Sequence, residues 1–451
     1  MPPAPGRSAP RRALLLGGIA AGVLAASGCA EDARQIDPFP IRVDLTRGAV
    51  TLAVDVGDGP VPAIIDTATP LTVLDPFQEG VAVPPAKRRL STVTLVGLDE
   101  EGQPTIPRAR FPDTAALALH PCPDDRLCRA GLGDEAVEFR AIVGADILAR
   151  SAARFDFPTS ELRFFPDTSG DASQLGDECH AVIQEAFAGG GTLSVNGGEV
   201  NFGGWRPVVG ACMDEVGAPD DAERGTDALF VLSTGLGISV LAASSYQRYA
   251  DATGAPALED LPAGELYFPS GVAPVRLGQI GSVALVGSLS SSNDDDVADR
   301  GPCRELYLNR IMAARACDDP DAGLATCPCP DQAPFCSTAA AVDLDRTIDV
   351  AILDDGNPVL QTLRDELRPE TPELDGILGT AALASLRLEL DYLNNRMLMR
   401  CERSAGCRTL PAVRSPESRD ALDRCRAREE DRIDGGVDAG AVDAGLADAA
   451  N

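Results

Sequence analysis

The stretch AIIDTATPLTVLD, Ala63 to Asp75, sets an acidic residue, Asp66, between two short apolar runs. Runs of this length, rich in Ile, Leu and Val and separated by Thr-Pro, read as strand, tight turn, strand. The pattern returns downstream as FVLSTGLGISVL, Phe230 to Leu241, which lies over Ala63 to Leu74 without a gap. In that alignment Asp66 meets Ser233, Thr67 meets Thr234, and Ala68 meets Gly235.

A second pair of stretches follows in the same order. Ala141-Ile-Val-Gly-Ala-Asp-Ile-Leu148, running on through Arg154-Phe-Asp-Phe157 to Phe165, matches Gly376-Ile-Leu-Gly-Thr-Ala-Ala-Leu383 and Glu389-Leu-Asp-Tyr392 to Arg400. Gly144 falls on Gly379 and Asp156 on Asp391. Each copy predicts a short apolar strand ending in glycine, a short helix, and a strand-turn-strand whose turn lies at Pro158-Thr-Ser160 or Asn394-Asn395. A weaker likeness joins the strand-rich leaders Val43 to Val56 and Thr192 to Val209. Two ordered pairs in one chain predict an internal duplication.

An apolar-apolar-Asp-Thr-Gly turn, followed later by an apolar-apolar-Gly segment and a strand-turn-strand, resembles the aspartic peptidase family, retropepsin-like and pepsin-like. Two copies in one chain resemble the bilobal, pepsin-like arrangement over roughly Asp37 to Cys401. The resemblance implies an all-β fold of two lobes with short helices and a cleft between them, each lobe supplying one catalytic Asp. It also implies that Thr67 and Thr234 bridge the lobes beneath that pair, with the Gly144 and Gly379 segments packed behind the motif turns.

The chemistry of that family needs two carboxylates, one ionised to draw a proton from water and one protonated to polarise the scissile carbonyl. Here Asp66 holds the first place and Ser233 the second, and a serine neither ionises near neutral pH nor shares a proton with a carboxylate as an equal. Losing one general acid or base lowers a rate by about 10²–10⁴, and more for a pair that acts as a unit. Ala68 also stands where the motif has glycine, a position expected to need unusual backbone angles or a close chain approach. The family's flap tyrosine has no counterpart, since the five tyrosines begin at Tyr246; Lys87 to Pro112 is a candidate flap hairpin without it. The expectation is a binding protein without peptidase activity. The alternatives are an active aspartic endopeptidase with an altered pair centred on Asp66, and a purely structural surface protein. Asp66 itself also suits a turn-capping role. Ser233 as a nucleophile lacks a base, because neither His120 nor His180 sits in a catalytic motif.

Arg7, Arg11 and Arg12 precede an apolar run, Ala13 to Ala26, that meets Ser27-Gly28-Cys29. This is the pattern of an export signal over residues 1–28, short of the ~20 apolar residues that span a bilayer. Small residues before Cys29 resemble the lipobox of bacterial lipoproteins, which implies lipidation of Cys29 and attachment to a membrane through the lipid. Ala30 after Cys29 points to the outer membrane of a Gram-negative envelope. An ordinary secretory signal with an incidental cysteine is the alternative, and Arg11-Arg12 also fits twin-arginine export. Twelve of the thirteen cysteines remain beside Cys29, an even number for an oxidising compartment. Cys122/Cys128 and Cys401/Cys407 are spaced to close small loops and Cys179/Cys212 to bracket a segment, though connectivity does not follow from sequence.

The formal net charge of −30 excludes nucleic acid as a natural partner. No cofactor or metal is expected. Cys327-Pro-Cys329 has no nearby histidine to complete a zinc site, and Asp294-Asp-Asp296 lacks the alternating oxygen ligands and glycine of a calcium loop. The predicted organisation is a tether at 29–38, a first lobe at 39–168, a linker at 169–191, and a second lobe at 192–402 carrying a Cys-rich insertion at about 290–338. A charged segment at 403–434 and an Asp/Ala/Gly tail at 435–451 follow, the latter without side chains to build a core. The chain is expected to act as a monomer with a peptide or protein ligand in its cleft.

Overall fold

The computed structural model describes residues 35–36, 40–45, 48–57, 59–74, 87–99, 101–118, 128–165, 181–184, 186–195, 198–217, 224–269, 271–286, 301–304, 306, 339–367, 373–401 and 406–411. The expected signal, Cys29, both histidines, most of the Cys-rich insertion including Asp294–Asp296 and Cys327–Cys329, most of the charged segment, and the tail lie outside them. Strands dominate, with short helices such as Ala145–Leu148, Ala243–Thr253, Pro358–Leu367 and Thr380–Leu383.

The two motif stretches fold alike. Strand Pro60–Ile65 pairs antiparallel with Thr51–Asp55 on one side. On its other side it receives Ala141–Val143 in parallel, Ala141 opposite Ala63, and the same short strand runs antiparallel to Val73–Leu74. In the second half Gly376–Leu378 enters parallel to Thr226–Leu232, Gly376 opposite Phe230, and antiparallel to Ser239–Ala242. Shifting the first motif by 167 residues and the inserted strand by 235 maps one register onto the other. Both inserted strands are buried along their whole length, which is why they are unbroken apolar runs rather than alternating ones.

Glycine ends each inserted strand for a steric reason. A Cβ on Gly144 would lie 2.5 Å from the Leu71 carbonyl carbon, and one on Gly379 would lie 2.3 Å from the Ile238 carbonyl oxygen. These approaches let the following helix dock on the motif turn: Ala145 and Asp146 donate their backbone N–H groups to Thr69 O and Pro70 O, as Thr380 and Ala381 donate to Leu236 O and Gly237 O. The expected strand-turn-strand units are Ala152–Asp156 with Glu161–Phe165 and Leu386–Asp391 with Arg396–Cys401. Their turns place Ser160 (φ 55°) and Asn395 (φ 49°), which correspond under the same shift, in the left-handed region.

These two hairpins pair with each other, Ala152–Asp156 against Leu386–Asp391, and with Ile41–Arg42 and Ala181–Gln184 at the outer edges build a continuous antiparallel sheet joining the halves. At its centre Arg154 opposes Glu389, two positions that are themselves related by the 235-residue shift, so the approximate twofold axis passes between them. Arg154 donates from Nε and Nη2 to Glu389 Oε2 at 3.1 and 2.8 Å. Burial still pushes the Glu389 carboxyl upward, outweighing the pull of Arg154, and Glu389 Oε1 has no partner.

Three expectations change. The strand occupying the place of Thr51–Asp55 in the second half is Arg206–Asp214, paired with Thr226–Leu232; Gly191–Val195 and Gly198–Phe202 form a hairpin of their own. The leader likeness therefore holds only at its end. Cys212 bonds Cys303 rather than Cys179, fastening the start of the insertion to the sheet. Cys401 bonds Cys407 as expected; Cys128 is disulfide-bonded too, while Cys122 and Cys179 lie outside the described residues. Finally, Lys87–Leu98 and Pro104–Ala118 do form a hairpin, yet among the described residues it lines no part of the cavity at the motif turns.

Candidate functional site

Each motif strand carries its polar residue just past the end of the inserted strand. Asp66 N–H donates to Val143 O at 3.0 Å, and Ser233 N–H to Leu378 O at 2.9 Å, so both residues are fixed by equivalent backbone bonds. The turns meet beneath them through Thr67 and Thr234, both fully buried. Thr67 Oγ1 donates to Leu232 O at 2.6 Å and Thr234 Oγ1 to Ile65 O at 2.7 Å, while each backbone N–H donates to the other threonine's hydroxyl at 3.2–3.3 Å. This reciprocal crossing holds Asp66 and Ser233 side by side.

Ser233 Oγ donates to Asp66 Oδ1 at 2.8 Å and in turn accepts Gly235 N–H at 3.2 Å. Asp66 Oδ1 also accepts Ala68 N–H at 3.0 Å, and Oδ2 accepts Thr69 Oγ1 at 2.5 Å. Asp66 is thus a hydrogen-bonded carboxylate acceptor with capacity left on Oδ2, beside a hydroxyl that has no second acidic proton to give. Such a site can receive a hydrogen-bond donor. The motif turns thus place one carboxyl group and one hydroxyl group side by side.

Neither Ala68 nor Gly235 has a positive φ, so the expected unusual backbone angle is absent. The constraint at Gly235 is close approach: a Cβ there would lie 2.7 Å from Asp66 Cβ. Behind the first turn, Thr72 Oγ1 accepts Gly144 N–H at 3.1 Å, as Ser239 Oγ accepts Gly379 N–H at 3.2 Å. Only the first copy adds a carboxylate, Asp146, whose Oδ1 accepts both Thr72 N–H and Thr72 Oγ1. Burial pushes Asp146 up to about 6 despite those bonds. Burial likewise raises the Tyr392 hydroxyl, with Asp66 and Asp146 adding to the effect, and that hydroxyl has no partner.

Above Asp66 and Ser233 lies a cavity of about 300 Å³. Its walls come from both halves, including Ile64, Leu236, Phe268, Val359, Leu363 and Ile377, and Arg206 also lines it. Sequence reasoning missed Arg206 and the helix Pro358–Leu367. The helix did carry a signal, Asn357-Pro358: Asn357 Oδ1 accepts Val359 N–H at 2.9 Å, and proline suits the first helical position. Arg206 carried none. Among the described residues no group of His, Cys, Asp and Glu is arranged to hold a metal ion.

Fold and site together define a mostly β protein built around two equivalent motif turns that meet at an Asp-Ser pair. No family model matches the chain, and no curated protein matches it. Among matching solved structures is the crystal structure of aspartic proteinase from Irpex lacteus, 12% identical, with 81% of this chain and 97% of that chain covered and a TM-score of 0.35.

Proposed function

We propose that this chain is a lipid-anchored cell-envelope protein with a duplicated, two-lobed aspartic-peptidase-like fold, 39–168 and 192–402, that binds a ligand in the cavity over Asp66 and does not cleave it. The observation that carries this reading is the 2.8 Å hydrogen bond from Ser233 Oγ to Asp66 Oδ1, a hydroxyl where the chemistry needs a second carboxyl. The buried threonine crossing preserves the alignment of the turns without contributing a proton donor to the cavity. The anchoring part rests on the charged, apolar and Ser27-Gly28-Cys29 sequence, and outer-membrane placement on Ala30. Peptide-cleavage assays between about pH 3 and 7, the range in which a carboxylate pair titrates, are expected to give the same background for wild type and Asp66→Ala. Turnover lost in Asp66→Ala would overturn the inactive reading. Incorporation of labelled palmitate, expected in the full chain and absent in Cys29→Ser, tests the anchor separately.

A further inference from the structure

One flank of the cavity over Asp66 is formed by a sheet that runs from one half of the chain into the other. Leu132 of Cys128–Leu132, in the first half, stands opposite Leu266 of Ala263–Phe268, in the second, and Gly131 stands opposite Tyr267. Val137–Phe139 extends this sheet on one side and Gly271–Ile280 on the other. One step further along the same register come Ala130 and Phe268, 2% and 7% exposed, and both line the cavity. The Arg129 guanidinium lies over the Tyr267 ring, 4.4 Å from its centre, and adds a side-chain contact to the backbone pairing. The halves are therefore tied twice, by the sheet centred on Arg154 and Glu389 and by this second bridge at the cavity.

The bridge also takes away a means of holding an extended chain. Such a chain adds as a strand to a free sheet edge, and its main-chain hydrogen bonds supply the affinity. Every strand that lines this cavity is paired on both edges: those carrying Ile64, Ala130, Arg206, Phe268 and Ile377 each lie between neighbours. Volume and side chains are left to do the recognition. The cavity, at about 300 Å³, is at the low end of the roughly 300–1,000 Å³ of ligand pockets. Of its polar side chains, Thr69 and Ser233 donate their hydroxyls to Asp66, Arg206 is paired with Glu366, and Thr362 stands exposed on its helix. With Arg206 so neutralised, Asp66 repels a second negative charge across apolar walls, in a chain whose formal net charge is −30.

We propose, building on the binding reading above, that the cavity holds a small apolar molecule without negative charge, enclosed whole, and that the bridge between Cys128–Leu132 and Ala263–Phe268 keeps extended polypeptide out. The probes are indole, indole-3-acetate and a pentapeptide of alanine and leucine capped at both ends. Calorimetric titration of the full chain gives saturable binding of indole, binding of indole-3-acetate weaker by about tenfold or more, and no displacement of indole by the peptide. Thr362→Trp obstructs the cavity from an exposed helix position and weakens indole binding by about tenfold or more. Thermal melting checks its fold, and Thr362→Phe is the smaller obstruction if the tryptophan is not tolerated. A ligand enclosed by the bridge leaves only when the bridge parts, so indole at ten times its Kd slows hydrogen exchange across 128–132 and 263–268 by about tenfold. No saturable indole binding, equal affinity for indole-3-acetate, displacement by the capped peptide, indifference to the obstruction at Thr362, or unchanged exchange in the bridge overturns the assignment and leaves the inactive reading intact. Asp66-dependent peptide cleavage with the behaviour toward indole preserved does the reverse.

Discussion

Gly235 has no room for a side chain because Asp66 stands against it, with Cβ and Cγ at 2.7 and 2.8 Å from where a glycine-borne Cβ would sit. The relation that carries Gly235 to Ala68 carries Asp66 to Ser233, so the methyl of Ala68 belongs against a serine, which has one heavy atom beyond Cβ where aspartate has three. The two turns thus differ as a pair, Asp66 with Gly235 and Ser233 with Ala68. Ser233→Asp alone is expected to destabilise by about 1–3 kcal/mol through overpacking, and adding Ala68→Gly to recover at least about 1 kcal/mol of that; urea unfolding of the four-member cycle measures it, and additivity within about 0.5 kcal/mol would refute this pairing. Asp146 gives a pH effect of defined sign. Its folded-state pKa of about 6 lies above the ordinary 3.8, so its contribution to stability is fully present below about pH 4 and is lost as pH rises through 6. Asp146→Asn has no such loss, and its stability relative to wild type should rise by up to about 3 kcal/mol between pH 4 and 7. A wild-type pH profile matching that of the variant would contradict this.

Among elements, the motif turns depend on their crossing. Thr67→Val leaves the Leu232 carbonyl and the Thr234 N–H without Thr67's hydroxyl, an expected loss of about 2–4 kcal/mol in unfolding free energy. Thr67→Ser, which keeps the hydroxyl, should restore most of it. A silent valine would mean that the crossing holds nothing together. Elements of this kind were legible in the sequence because their constraints are local: an apolar run, a glycine that alone allows a carbonyl to approach, a Ser160 or Asn395 at the turn. The cavity was less legible. Arg206 reaches it from the first residue of the strand Arg206–Asp214, and Glu366 meets it from a helix 160 residues further on, so neither stands in a pattern that spacing can reveal. The Cys212–Cys303 bond, 91 residues apart, escaped for the same reason.

For the molecule as a whole, the junction between halves is the antiparallel sheet with Arg154 and Glu389 at its centre. Their side chains are 10% and 1% exposed, so removing one leaves a charge buried and unpaired. Arg154→Met or Glu389→Leu alone should destabilise by about 3–5 kcal/mol, and the double change should be far milder, since an apolar pair of similar size often replaces a buried ion pair without loss. Losses that add in the double change, followed by denaturant unfolding, would show that the pair is not a unit. The alignment of the two copies was readable from sequence, down to Gly144 on Gly379. That the axis runs between Arg154 and Glu389 was not, because it depends on how the copies face each other. On an approximate twofold axis a residue faces its own counterpart, and a dimer of two identical halves would bury arginine against arginine or glutamate against glutamate. With opposite charges at that self-facing position, each half suits the other better than a copy of itself.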